Sequence, residues 1–74
     1  MLNQRIREVR QARGMSQVEL AGLLGVTKQS VSNWENDNIQ PSIEMLVKLA
    51  LTLGVSTDYL LGLTEQKNHP NTEL

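Results

Sequence analysis

The chain has 74 residues, room for one domain, and it contains no cysteine, so a second core, a disulfide framework and a Cys-based zinc site are all excluded. Its only histidine is His69 and its only aromatics are Trp34 and Tyr59, which excludes a His metal cluster and argues against an aromatic platform for single-stranded nucleic acid. The net charge of −1 hides a polarity: residues 1–28 hold Arg5, Arg7, Arg10, Arg13 and Lys28 against Glu8 and Glu19, a local +3, while residues 29–74 hold Lys48 and Lys67 against six carboxylates, a local −4. A local field steers a charged partner more than the net value does.

Five helices are predicted in chain order. Helix 1, about 3–13, carries Leu2, Ile6 and Val9 on its apolar side. Helix 2, about 17–24, begins after Ser16, which with Glu19 fits a capping box. Helix 3, about 28–35, follows Thr27 as its N-cap. Helix 4, about 43–53, follows Ser42 and places Ile43, Leu46, Leu49, Ala50 and Leu53 on one face. Helix 5, about 57–61, is short and follows Ser56. Gly14, Gly25, Gly54 and Gly62 each close a helical stretch, where a left-handed cap favours a residue without Cβ. Nothing alternates with period two for long enough to make a strand. Gly22 falls inside helix 2, with no sequence reason beyond tolerance on an exposed face. Residues 1–63 are expected to form the domain, and 64–74 to be a polar, disordered tail. No apolar run reaches membrane-spanning length and no signal peptide is evident, so the expectation is a soluble, cytoplasmic protein.

The stretch Ser16–Asn36 carries the chemistry. Ala21 lets a second helix cross closely, Gly25 allows the tight turn, and Leu24, Val26 and Val31 form a wedge between the axes, which is the geometry of a helix-turn-helix. On a wheel of helix 3, Lys28, Gln29, Ser32, Asn33 and Asn36 share one arc, with no carboxylate among them. Gln and Asn can bond adenine edges bidentately and Lys can reach guanine, so this face suits double-stranded DNA. Trp34 is expected to pack on the core rather than between bases.

The string Gln17-x-x-x-Ala21-x-x-x-Gly25-Val26-Thr27-x-x-Ser30-Val31-Ser32-x-Trp34-Glu35 resembles the Cro and phage-repressor helix-turn-helix family, often called XRE-type. The resemblance continues through Pro41, Leu46, Leu49-Ala50, Leu53-Gly54-Val55-Ser56 and Asp58-Tyr59-Leu60-Leu61, and so covers roughly residues 2–63. It implies an all-α, compact five-helix bundle of the lambda-repressor type, with helix 3 in the major groove. It implies base contacts from Lys28, Gln29 and Asn33, with Ser32 accessory. It implies phosphate contacts from Gln17, Thr27, Ser30 and Asn36, and a structural ion pair between Arg10 and Glu35. One departure stands out. Relatives often carry basic residues in the loop 36–42; here there are none, and Asp37 would face phosphates unfavourably. Arg5 and Arg13 of helix 1 are the expected compensation.

The resemblance further implies a sequence-specific regulator, a repressor that binds a palindromic operator as a homodimer, in bacteria or their phages and associated with the nucleoid. Tyr59, Leu60, Leu63 and the helix 4–5 junction are the candidate dimer contacts, with the alternative that Leu60 and Leu61 simply close the core. The partners are then an operator duplex, a second copy and a protein antagonist; no membrane, cofactor, metal or small-molecule ligand is expected. The chain could also be the DNA-binding part of a longer repressor. Antitoxins and restriction–modification controllers resemble it too. The rival class is a protein-interaction module that keeps the fold and has lost DNA binding. An enzyme finds no support: there is no Cys, one His, no Gly-rich phosphate loop after a strand and no paired carboxylates in a cleft.

Overall fold

The computed structural model describes residues 1–67 and forms five helices: α1 (Leu2–Ala12), α2 (Gln17–Leu24), α3 (Lys28–Glu35), α4 (Ile43–Leu53) and α5 (Thr57–Leu60). Each of α2 to α5 starts at a hydroxyl. Ser16, Thr27, Ser42 and Ser56 accept the backbone N–H three residues on, at 3.0, 3.1, 3.1 and 3.0 Å, and so satisfy donors that the helix itself cannot. At Ser16 the box closes both ways, because the Glu19 carboxylate accepts the Ser16 N–H at 2.8 Å. That bond, made to the Ser16 backbone, holds the Glu19 carboxyl below its ordinary pKa.

Two of the helix ends share one three-residue grammar. Gly25-Val26-Thr27 closes α2 and opens α3; Gly54-Val55-Ser56 closes α4 and opens α5. The glycines take φ of 73° and 72°, the left-handed region where a Cβ is penalised. The valine N–H then reaches back to the carbonyl of Ala21 or Ala50, each at 3.0 Å, and its side chain turns toward the core. The hydroxyl residue starts the next helix. In this way three residues close one helix and open the next.

All five helices feed one core, whose fully buried side chains include Ile6, Leu20, Leu24, Val31, Leu49, Leu53 and Leu60. α3 packs on α1 and α2, while α4 packs on α1, α2 and α5. The predicted wedge is in place, with Leu24 and Val31 buried and Val26 packed against the core. Trp34 is also buried.

Three expectations need correction. Ile43 is 82% exposed, although the period placed it on the apolar face of α4. It occupies the first position of the helix, and the half-buried Met45 and Leu46 pack against the core at that end instead. Leu60 is fully buried and Tyr59 nearly so, leaving Leu63 alone of the expected dimer contacts on the surface. The domain also extends past residue 63. Ser56 donates its backbone N–H to the Lys67 carbonyl, Glu65 bonds Arg5 at 3.0 Å, and Arg5 lies over the Tyr59 ring at 4.1 Å. The rest of the expected tail, 68–74, with His69, lies outside the described residues.

Gly22 has ordinary helical φ, and a Cβ built there would meet nothing within 4 Å. Replacing glycine by alanine inside a helix gains about 1 kcal/mol when space allows. Gly22→Ala should therefore raise the thermal midpoint by roughly 4–8 °C for a domain of this size. A midpoint at or below that of the unmodified chain would refute the reading of an open, unstrained site.

Candidate nucleic-acid interface

The candidate interface is the outer face of α3. Lys28, Gln29 and Asn36 are exposed and Ser32 and Asn33 half-buried, while Val31, Trp34 and Glu35 point into the bundle. Tight packing of the inner side fixes the rotation of the helix, so the polar arc has a single presentation. Gln29 donates from Nε2 to Asn33 Oδ1 at 3.1 Å, one helical turn away. The pair keeps free the Gln29 carbonyl oxygen and amide protons on both residues, the mixed donor and acceptor edge that reads adenine. Asn36 donates from Nδ2 to Ser32 Oγ at 3.2 Å, which orders the far end of the same arc. Thr27 and Ser30 share a hydrogen bond between hydroxyls at 3.1 Å, so Ser30 is tied to the cap of α3.

The start of α3 is electropositive. α2, α4 and α5 each carry an acid in the first turn, namely Glu19, Glu44 and Asp58; α3 carries none and begins with Lys28. A cation at a helix N-terminus opposes the helix dipole, so this choice costs stability and adds positive potential beside the polar arc.

Behind the arc lies a buried ionic hub. The Glu35 side chain is wholly enclosed and takes Arg10 Nε on one oxygen at 2.6 Å and Arg10 Nη2 on the other at 3.0 Å, a bidentate pair. Gln17 Nε2 joins the second oxygen at 3.0 Å, and Arg7 Nε approaches it at 3.4 Å. Arg10 also donates from Nη1 to the Met15 carbonyl at 2.7 Å. Among the described residues no buried side-chain polar atom lacks a partner. Burial by itself would push the Glu35 carboxyl up, but the bonds from Arg10, Gln17 and Arg7 together outweigh it and hold the carboxyl below its ordinary value. The Arg10 guanidinium is pushed up, chiefly by its hydrogen bonds to Glu35 and against the opposing effect of burial.

The helix 1 arginines therefore divide differently from expectation. Arg5 is committed to Glu65 and Tyr59, and Arg13 donates to the Leu53 carbonyl at 3.0 Å at the end of α4. Neither lies on the α3 arc. Arg7, which the sequence reading passed over, bonds Asn36 Oδ1 at 3.0 Å. The available signal was its spacing: Arg7 precedes Arg10 by three residues and so shares its face of the helix. Gln17, expected at a phosphate, has one amide proton on Glu35 and keeps the other.

The matching family model is described as Helix-turn-helix and spans residues 6–60. This chain belongs to that helix-turn-helix family. It is 40% identical to the HTH-type transcriptional regulator ImmR of Bacillus subtilis over 73 residues, which is 99% of this chain and 58% of ImmR. The chain thus spans little more than half the length of that relative. Two solved structures superpose closely. SinR in complex with DNA matches with a TM-score of 0.77 and 40% identity, over 82% of this chain and 98% of that one. The P22 c2 repressor with a synthetic operator also matches with a TM-score of 0.77, at 33% identity over 81% of this chain and 91% of that one.

Removing one partner of a buried ion pair leaves the other charged and unmet. Glu35→Gln should cost about 3–5 kcal/mol, whereas replacing both partners by Arg10→Met with Glu35→Leu should cost much less. The folded Glu35 carboxyl titrates below its unfolded counterpart. Its contribution is therefore complete above the ordinary carboxylate range, near pH ~4.3, and is lost as pH falls through the lower folded value. Urea unfolding at pH 7 and pH 3 should show a wild-type acid loss that Glu35→Gln reduces. Equal pH dependence in the two proteins would refute it.

Proposed function

We propose that this chain is a sequence-specific regulator of transcription that binds double-stranded DNA with α3 in the major groove and represses by covering a promoter. The observation that carries the reading is the arc of Lys28, Gln29, Ser32, Asn33 and Asn36: polar, free of carboxylates and fixed in rotation by a buried hub. The superposition on SinR and P22 c2, both solved with DNA, supports a DNA-binding role for this fold. On this reading Lys28, Gln29 and Asn33 contact bases, with Ser32 accessory, and Gln17, Thr27, Ser30 and Asn36 contact phosphates. Relatives named as regulators favour this role over an enzyme. Among the described residues no cluster of His, Asp and Glu is arranged to hold a metal.

One helix reads only a few base pairs, too few for genomic specificity. Two copies on half-sites about one helical turn, ~34 Å, apart supply it. The surface open to a second copy includes Leu63 and the α4 stripe Ile43, Val47 and Leu51, all of them exposed. A protein antagonist is a further partner, in keeping with a SinR–SinI complex that matches this fold with a TM-score of 0.76. Among the described residues no helix is long and apolar enough to cross a membrane, and a cytoplasmic location follows from the DNA-binding role.

The test is selection of duplexes from a randomised library by the 74-residue chain, followed by titration and sedimentation on the selected sequence. The expected result is a palindromic site that saturates at two chains per duplex. The double variant Gln29→Ala with Asn33→Ala should lose the sequence preference, by about 1–3 kcal/mol per lost base contact, while its thermal midpoint stays close to wild type because both side chains lie on the outer face. Failure to enrich any sequence would refute regulation through α3 and favour the protein-interaction module.

A further inference from the structure

The loop 36–42 offers no cation and places Asp37 beside the reading helix, so attraction to a polyanion must come from elsewhere. Among the described cations, Arg5, Arg10 and Arg13 are held by Glu65, Glu35 and the Leu53 carbonyl, and Lys48 donates to the Leu24 carbonyl at 2.9 Å. Lys67 sits over the Tyr59 ring. Lys28 has no such partner among the described residues, and Arg7, although it bonds Glu35 and Asn36, keeps a side chain that is 45% exposed; the two lie at opposite ends of α3. Resting on the DNA-binding reading above, we infer that Arg7 is a DNA phosphate contact, set between Gln17 and Asn36 so that α1, α2 and α3 grip one run of the backbone.

Three observations carry this. The first is placement. Gln17 and Arg7 meet on one oxygen of Glu35, and Arg7 in turn bonds Asn36, so two residues far apart in the chain lie on either side of Arg7. The second is donor accounting. A guanidinium has five N–H groups; Arg7 directs Nε at Glu35 Oε1 and Nη2 at the Glu35 carbonyl and Asn36 Oδ1. Nη1 has no partner among the described residues, and the side chain is 45% exposed. Gln17 Nε2 and Asn36 Nδ2 each retain one proton too, so three nitrogens of a linked group hold unused N–H donors. The third is charge. Two arginines around one enclosed carboxylate leave the cluster at +1, with the negative group beneath and Arg7 outside. A purely structural Arg7, capping the end of α3, would use the same inward bonds but leave Nη1 idle.

The test is the salt dependence of binding to the duplex selected by the wild-type chain, between 50 and 200 mM salt. One phosphate contact contributes about 0.9 to the slope of log affinity against log salt. Arg7→Gln should flatten the slope by about 0.9, so that its affinity falls about 3.5-fold less across this range. Arg7→Lys should keep the wild-type slope, because the charge is retained. Lys67→Gln removes the same charge on the Tyr59 side and should also keep the wild-type slope. Weaker binding by Arg7→Gln at an unchanged slope would make Arg7 a structural support for Asn36 and overturn the inference. Equal flattening by Lys67→Gln would attribute the effect to net charge and overturn it too. In either case the regulatory reading would stand. A wild-type chain that enriches no duplex would overturn both.

Discussion

Glu35 carries a negative charge into the space between α1, α2 and α3, and the way that charge is met organises the side of the molecule that carries α3. An isolated carboxylate there would be too costly to keep ionised. Two arginines and an amide converge on it instead, each from a different position along the chain. The bidentate geometry with Arg10 sets not only the separation of α1 and α3 but also their relative rotation, because a planar fork meets a planar carboxylate in few ways. Such a pair adds little net stability compared with well-packed apolar residues. Its effect is on which arrangement of the three helices is the satisfied one.

That arrangement connects packing to recognition. Helix-turn-helix recognition depends on the angle and rotation of the reading helix within the groove. Here the inner side of α3 is held by Val31, Trp34 and Glu35, so its outer side can be devoted to Lys28 and to amides and hydroxyls that bond one another and, at Asn36, Arg7. Gln29 and Asn33 are already paired in the free chain, so under the proposed function less rotamer freedom would be lost on binding. The same hub holds Gln17 and Arg7, the polar groups flanking the arc, so the outer face of α3 and its flanks share one rigid support.

Much of the fold was legible in the residues because its punctuation is local. A serine or threonine before an apolar period, and a glycine after it, act through bonds that span three to five residues. The limits of all five helices therefore fell within one or two residues of the expected ones. The polar arc of α3 was legible for a similar reason, since helical geometry alone decides which residues share a face. Ile43 shows where this stops. Periodicity reports the face of a residue but not whether a neighbouring helix extends far enough to cover it. Leu60 shows the converse: its apolar character suits a core and an interface equally, and only the packing of α5 against α1 and α4 distinguished them.

The arginines mark the boundary most clearly. By itself the sequence determined that the chain would be helical, where its helices would start and stop, that a short turn would join α2 to α3, and that the exposed side of α3 would carry no acid. Each of these rests on interactions within a few residues. The pair of Arg10 with Glu35 was implied by the family resemblance, but tertiary structure alone decided the partners of the other arginines: Arg5 with Glu65, Arg7 beside Arg10 on Glu35, and Arg13 with the end of α4. These pairings span 25 to 60 residues along the chain. Four arginines within nine residues have the same chemistry, and what distinguishes them is the direction in which α1 carries each one and the group that the packed helices place there.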